Sequence, residues 1–257
     1  MVILFLIGIL AGLVESSAGG SGIIALPAIL FFGYQPLEAI ATSKFQYAFG
    51  AISAITRFSQ SDKILWKNIS PMLIVSMIAG GIGAYTLTVI NTKIVALIIP
   101  ILLIATAIYF FFSPRISDEQ THPRISKLKF GLFVVPVVAF YDGFFGVGSA
   151  SLYMTAFVLL LGMNVTFATA NTKLLDFASG IAALTVLAFK GHVLLLPGLA
   201  MGAGQIIGAY LGASLVLRWG SRWVRPMVVF VSICISIDIL YKHWDDFRDI
   251  FGLYLFK

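Results

Sequence analysis

Lys44 and Lys173 are the residues of this chain best placed to do chemistry. Each ends a short polar cluster in otherwise apolar sequence, Ala41-Thr42-Ser43-Lys44 and Ala170-Asn171-Thr172-Lys173. Spacing from the Gly33 and Gly162 turns predicts that each lysine lies about seven residues into a helix, about 11 Å along its axis. If those helices cross a bilayer, the ammonium groups sit near its middle, where an unpaired lysine costs about 3 kcal/mol or more. One answer to that cost is structural, with a neighbouring carboxylate such as Glu38 or Asp176 pairing with the lysine. The other is functional: the ammonium, flanked by Thr42 and Ser43 or by Asn171 and Thr172, holds an anion. A lysine cluster that occurs twice favours the second reading.

Two glycine-serine runs offer a second kind of anion ligand. The first is Glu15-Ser-Ser-Ala-Gly-Gly-Ser-Gly22 and the second is Asp142-Gly-Phe-Phe-Gly-Val-Gly-Ser149. Such runs break a helix, expose backbone N–H groups and start a new half-helix whose positive dipole end attracts anions. Gly19, Gly20, Ser21 and Gly22 would form one cradle, and Gly146, Gly148 and Ser149 a facing one. The alternative is that these are packing glycines, common in membrane helices. Glu15 and Asp142 stand at the entries to the runs, where carboxylates relay protons, coordinate a coupling cation such as Na⁺, or serve as counter-ions for Lys44, Lys173 or Arg57.

Other readings of these residues explain less. A nucleotide cradle would need a preceding strand and a following Gly-Lys-Ser/Thr, and neither is present. Gly-x-Ser-Gly at 19–22 fits a membrane-embedded serine hydrolase, but the serine needs a base within hydrogen-bond reach. None of His122, His192 and His243 lies centrally in an apolar segment, so only Lys44 could serve, and the second lysine cluster goes unexplained. A passive anion channel would be expected to present a ring of identical charges, which the sequence does not suggest. The single Cys234 allows no intrachain disulfide or cysteine-based metal cluster, and the three histidines are too scattered to suggest one; no cofactor and no enzymatic role are expected.

The elements that must position these groups are membrane helices. The 257 residues are 60% hydrophobic and 11% charged, against roughly 45–50% and 25% in soluble domains, and the mean hydropathy is +1.00. The net charge of +6 lies at the ends of apolar segments, marking topology rather than a nucleic-acid surface. Apolar segments fall at 2–14, 22–33, 37–57, 69–90, 93–112, 128–145, 149–161, 166–189, 193–217 and 223–241. The longer ones approach or reach the ~20 residues that cross a ~30 Å hydrocarbon core; the shorter pairs 2–14 with 22–33 and 128–145 with 149–161 flank the two glycine runs. The N-terminus, with no basic region before its apolar start, reads as part of the mature structure.

An offset of 129 residues pairs Gly19 with Gly148, Gly33 with Gly162, Ala39 with Ala168, Lys44 with Lys173, Gly83 with Gly212 and Lys93 with Arg222, without a gap. The expected organisation is a first transmembrane repeat at 1–112, a polar connector at 113–127, a second repeat at 128–241 and an amphipathic tail at 242–257. In that tail Trp244, Phe247, Ile250, Phe251, Tyr254 and Leu255 fall near helical spacing, as in an interfacial helix. The expected fold is an all-α integral membrane protein, a polytopic bundle of two pseudo-symmetric halves with broken or re-entrant helices. Charge counting leaves parallel and inverted repeats both open, and both schemes make the connector cytoplasmic. Matching interrupted segments place the binding site between the halves, because unwound backbone is tolerated where it lines a cavity. Gly204-Gln205 to Gly212, a small-xxx-small ladder, reads as helix packing.

Ala18-Gly-Gly-Ser-Gly22 with Pro27, Gly33 and Ala41-Thr-Ser-Lys44, echoed by Tyr141-Asp-Gly-Phe-Phe-Gly146 and Ala168-Thr-Ala-Asn-Thr-Lys173, resembles the sulfite exporter (TauE/SafE-type) family of membrane permeases over nearly the whole chain. The resemblance implies export of a small anion, sulfite or an organosulfonate such as sulfoacetate, across the bacterial cytoplasmic (inner) membrane, driven by an ion gradient. The second glycine run is the poorer one, with Val147 where Ala18 stands and Ser149 where Gly20 stands. Equal use of the two cradles is therefore not expected.

Overall fold

Apolar stretches punctuated by glycine, proline and charge produce a chain of helices, and their ends fall close to the punctuation. The computed structural model describes residues 1–91 apart from 20, positions 94, 95, 98, 101, 102 and 105, and residues 120–219. Gly20, most of the 93–112 segment, residues 113–119 of the connector, the 223–241 segment and the 242–257 tail lie outside the described residues. The first four helices are α1 (Val2–Ala18), α2 (Ser21–Phe31), α3 (Pro36–Ser59) and α4 (Trp66–Val89). A single turn, Lys127–Lys129, and a π-helical stretch, Phe130–Val134, run directly into α5 (Val135–Phe144). Then come α6 (Ser149–Leu161), α7 (Val165–Phe189) and α8 (Leu195–Trp219). The protein is an all-α membrane protein.

Length and composition qualify Ile69–Val89, Val165–Phe189 and Leu195–Trp219 to cross a membrane. Helix α3 is 24 residues long, but Glu38, Thr42, Ser43, Lys44, Gln46 and Arg57 make it the most polar of the long helices. Ile74, Ile78, Ile82 and Tyr85 form an exposed stripe along α4, the side that meets lipid. The interior carries the polar groups instead: Glu15, Lys44, Asp142, Lys173 and Asp176 are all buried. Polar side chains inside and apolar ones outside fit a helical protein whose solvent is hydrocarbon.

Helix α1 stops because Gly19 adopts φ 76°, from which its N–H returns to the Glu15 carbonyl. Gly148, 129 residues on, adopts φ 80° immediately before α6. Glycine takes this left-handed conformation without the steric penalty that a Cβ brings, so both breaks are written into the sequence. Pro136 explains the π-helical stretch: proline removes one N–H and clashes with the carbonyl four residues back. The ladder widens there, and the Val135 N–H bonds to Phe130, five residues back.

Packing exchanges helices between the early and late parts of the chain. Helix α1 packs chiefly on α8, and α3 also lies on α8, whereas α5 and α7 both lie on α4. Helices α3 and α7 meet between these two groups. The α1–α8 seam is very close: a Cβ added at Gly208 would stand 1.9 Å from the Ile9 carbonyl oxygen, as the small-residue ladder predicts. Gly208→Ala therefore forces the two backbones apart, and overpacking of this kind costs about 1–3 kcal/mol. A lower melting temperature in detergent is expected; an unchanged one would mean that α1 and α8 separate freely.

Candidate functional site: a buried ion-pair cluster between α3 and α7

Lys44 is the ninth residue of α3 and Lys173 the ninth of α7, so matching positions carry both ammonium groups into the centre of the bundle. Each finds its partner on the other side of the α3–α7 contact. Lys44 Nζ donates to the Asp142 carbonyl at 2.5 Å and to Asp142 Oδ1 at 3.2 Å. Lys173 Nζ donates to the Glu15 carbonyl, and to Glu15 Oε1 at 2.6 Å. The pattern is the same twice, with ammonium against both the backbone oxygen and the carboxylate of one acidic residue at a helix break. Neither Glu38 nor Asp176 is the lysine partner that sequence proximity suggests: the Glu38 carboxylate accepts from the Gln35 N–H at the start of α3.

The breaks themselves face one another. A Cβ on Gly19 would stand 2.6 Å from the Ala150 Cβ, and one on Gly22 2.9 Å from Val147 Cγ2. At the first break the Ser21 N–H, which opens α2, donates to Glu15 Oε2 at 2.6 Å. The Glu15 carboxylate thus takes the position of an anion at a helix N-terminus, with the Lys173 ammonium on its other oxygen. At the second break Ser149, the first residue of α6, brings its hydroxyl to Asp142 Oδ1 at 2.9 Å and to Asp176 Oδ1 at 2.7 Å. The Ser179 hydroxyl reaches Asp142 Oδ2 at 2.6 Å.

A cavity of about 20 Å³ opens into this cluster, lined by Glu15, Ser21, Gly22, Ser43, Lys44, Tyr47, Asp142, Phe145, Gly146 and Asp176. That is space for about one water molecule. Gly146 is what lets Lys44 in, since a Cβ there would lie 2.6 Å from its Nζ. Lys173 does not line the cavity; it stands behind Glu15, fully buried.

Thr42 and Asn171 are turned elsewhere. Thr42 Oγ1 accepts from the Leu194 N–H at 3.0 Å, and Asn171 Oδ1 accepts from the Leu65 N–H at 2.8 Å. Each therefore holds the loop leading into α8 or α4. The Thr172 hydroxyl is buried without a hydrogen-bond partner among the described residues, and it does not line the cavity. The group that sequence reasoning did not place in the site is Asp176, together with Ser179 and Tyr47. The signal was available: Asp176 is three residues after Lys173 and so shares its helix face.

Comparison with known proteins places the chain in a family. The family model described as sulfite exporter TauE/SafE matches residues 4–239. The chain belongs to that family. A "probable membrane transporter protein ORF9" of Sinorhizobium sp. is 38% identical to this TauE/SafE protein over 93% of the chain and 92% of its own length. A "probable membrane transporter protein" of Haemophilus influenzae is 37% identical over 94% of each. Its counterpart YfcA of Escherichia coli K12 is 36% identical over 94% of the chain and 93% of its own length. No solved structure matches. This TauE/SafE protein is therefore a membrane transporter. Nothing in these likenesses supports a serine hydrolase, and Lys44, the base such an enzyme would need, is already held by Asp142.

Proposed function

We propose that this TauE/SafE protein is a multi-pass secondary transporter of the bacterial cytoplasmic membrane. In this reading it exports a small sulfur oxyanion or organosulfonate, such as sulfite or sulfoacetate, by alternating access coupled to a proton. The observation that carries the reading is the Glu15 carboxylate, an oxyanion held at 2.6 Å by the backbone N–H opening α2 and at 2.6 Å by the Lys173 ammonium. Donors arranged for one planar oxyanion suit another, and charge-assisted hydrogen bonds of this length are the strong ones. Lys44 repeats the theme beside the cavity, and Ser21, Gly22, Ser43 and Gly146 complete the wall around it. A cavity that holds about one water is a closed form of such a site. An arriving anion must displace Asp142 from Lys44, and the two breaks must separate to admit it.

A two-repeat organisation, 1–112 and 128–241, is part of the same proposal. Ion pairs that tie a lysine of each repeat to a carboxylate of the other are broken and remade when one group of helices rocks against the other. The test is flux in proteoliposomes with sulfite, sulfate, thiosulfate, sulfoacetate and taurine at two pH values. One anion should be carried, with pH-dependent flux. Lys44→Ala, which removes a contact worth about 1.5–3 kcal/mol, should cut that flux at least about tenfold. Full flux from Lys44→Ala would remove Lys44 from the site.

A further inference from the structure

We infer that Asp176 is the proton-carrying group of the transporter, and that Ser149 passes its protonation state to Asp142 and hence to Lys44. The inference rests on the anion-transport reading above and names its coupling residue. It begins with a charge count. Glu15, Asp142 and Asp176 are three buried carboxylates, and Lys44 and Lys173 are two ammonium groups. Lys173 is matched to Glu15 and Lys44 to Asp142; Asp176 makes no ion pair among the described residues. An unpaired ionised carboxylate in this setting is expensive, and the usual resolution is that the group takes up a proton.

Hydrogen-bond donors point to the same carboxylate. The Asp142 carboxylate receives Lys44, Ser149 and Ser179, the company of an ion. Ser149 Oγ lies within hydrogen-bond distance of Asp142 Oδ1, Asp176 Oδ1 and the Gly146 carbonyl, yet a hydroxyl has one hydrogen to give. With a proton on Asp176 the chain is complete: Asp176 O–H donates to Ser149 Oγ, and Ser149 O–H donates to Asp142, which holds Lys44. When that proton leaves for water in the cavity, Asp176 becomes an anion. The Ser149 hydrogen can then turn to it, and Asp142 loses a donor.

The cavity supplies an independent observation. The Tyr47 hydroxyl is buried and closes no hydrogen bond of normal geometry among the described residues, and Tyr47 and Asp176 line the same cavity. An ionised Asp176 or a water beside it would give that hydroxyl an acceptor. Around Asp176 stand Glu15 from α1, Lys44 and Tyr47 from α3, Asp142 from α5, Tyr153 from α6, and Lys173 on its own helix. On α4 the Ser76 hydroxyl donates to the carbonyl of Leu175, the residue before Asp176, at 2.6 Å. Tyr47 occupies the position 129 residues before Asp176, so one half alone carries the extra carboxylate. Protonation removes one negative charge from the cavity as an anion enters it, so proton and anion bind together.

The experiment follows proton uptake with a pH-indicator dye as sulfoacetate, whose charge does not change near neutral pH, is added to the purified wild-type protein. Above the pH at which Asp176 ionises in the anion-free protein, about one proton per bound anion is expected, with apparent affinity falling up to about tenfold per pH unit. In Asp176→Asn, uptake should vanish at every pH and the affinity should lose that pH dependence. Sulfoacetate binding without proton uptake at any pH in the wild type, or Asp176→Asn with wild-type uptake, overturns the inference while leaving the anion reading intact. No sulfoacetate binding by the wild type counts instead against sulfoacetate as the anion. The protonation itself is then read from the infrared band of a protonated carboxyl group in the anion-free protein over the same pH range. A band in the wild type that fades as pH rises into the range of uptake, and is missing from Asp176→Asn, supports the inference; its absence from the wild type at every pH overturns it. If Asp176→Asn does not fold, Ser149→Ala should shift the pH midpoint of uptake, and an unmoved midpoint removes Ser149 from the relay.

Discussion

Lys173→Ala is expected to abolish anion flux and to lower stability by about 3–5 kcal/mol, because it strands the buried Glu15 carboxylate without its cation. Stability loss alone would not distinguish a binding lysine from a structural one. Adding Glu15→Gln to Lys173→Ala removes the stranded charge. The double variant should regain most of the lost stability, since residues in one ion pair are not additive, and should still carry no anion. Recovery of flux together with stability would mean that the Lys173–Glu15 pair only holds the bundle together. Melting temperature in detergent and flux in proteoliposomes, measured on the same preparations, read the two properties apart.

Gly146→Ala should be the most damaging single-methyl change in the cavity wall. Its backbone has φ 85°, which costs a residue with a Cβ about 1–2 kcal/mol, and the new methyl would collide with Lys44 Nζ. Gly33→Ala is the control. That residue has φ 84° with nothing within 4 Å of an added Cβ, so it carries the conformational cost without the collision. Gly33→Ala should lose only that conformational cost and Gly146→Ala more, and only Gly146→Ala should lose anion affinity, by at least about tenfold if Lys44 contributes one charge-assisted contact. Equal affinity losses in the two variants would separate Lys44 from anion binding.

Much of this arrangement is legible in the sequence because it rests on local chemistry. Glycines that must take φ above zero mark both breaks, and apolar runs mark the helices within a few residues of where they form. The lysine partners were legible only as one option: Glu15 and Asp142 stand as possible counter-ions for Lys44, Lys173 or Arg57, but nothing in the sequence says which pairs with which, and Glu38 and Asp176 compete by proximity. Thr42 and Asn171 show a different failure. Their proximity to the lysines suggests a shared site, but residues two apart on a helix point about 200° away from each other. The side chain at 44 can reach the cavity only if that at 42 turns away from it, and Thr42 meets a loop. Ser43, about 100° from Lys44, does line the cavity. Asp176 was read only as a possible lysine partner, and its place beside Ser149 depends on how α6 docks on α7.

The exchange of helices, α1 onto α8 and α5 onto α4, also sets an order of assembly. About 180 residues separate the end of α1 from the start of α8, which takes a ribosome roughly 10–35 s to make. During that interval the glycine face of α1 has no α8 to meet, and Glu15 lies in the nascent chain before Lys173 has been synthesised. Lys44 likewise precedes Asp142 by 98 residues. Each buried charge spends the early part of synthesis without its partner, so the interior closes late and nearly at once. A fragment ending at the 113–127 connector would hold the first lysine and the first carboxylate but neither of their partners, and would be a substrate for quality control rather than half a transporter.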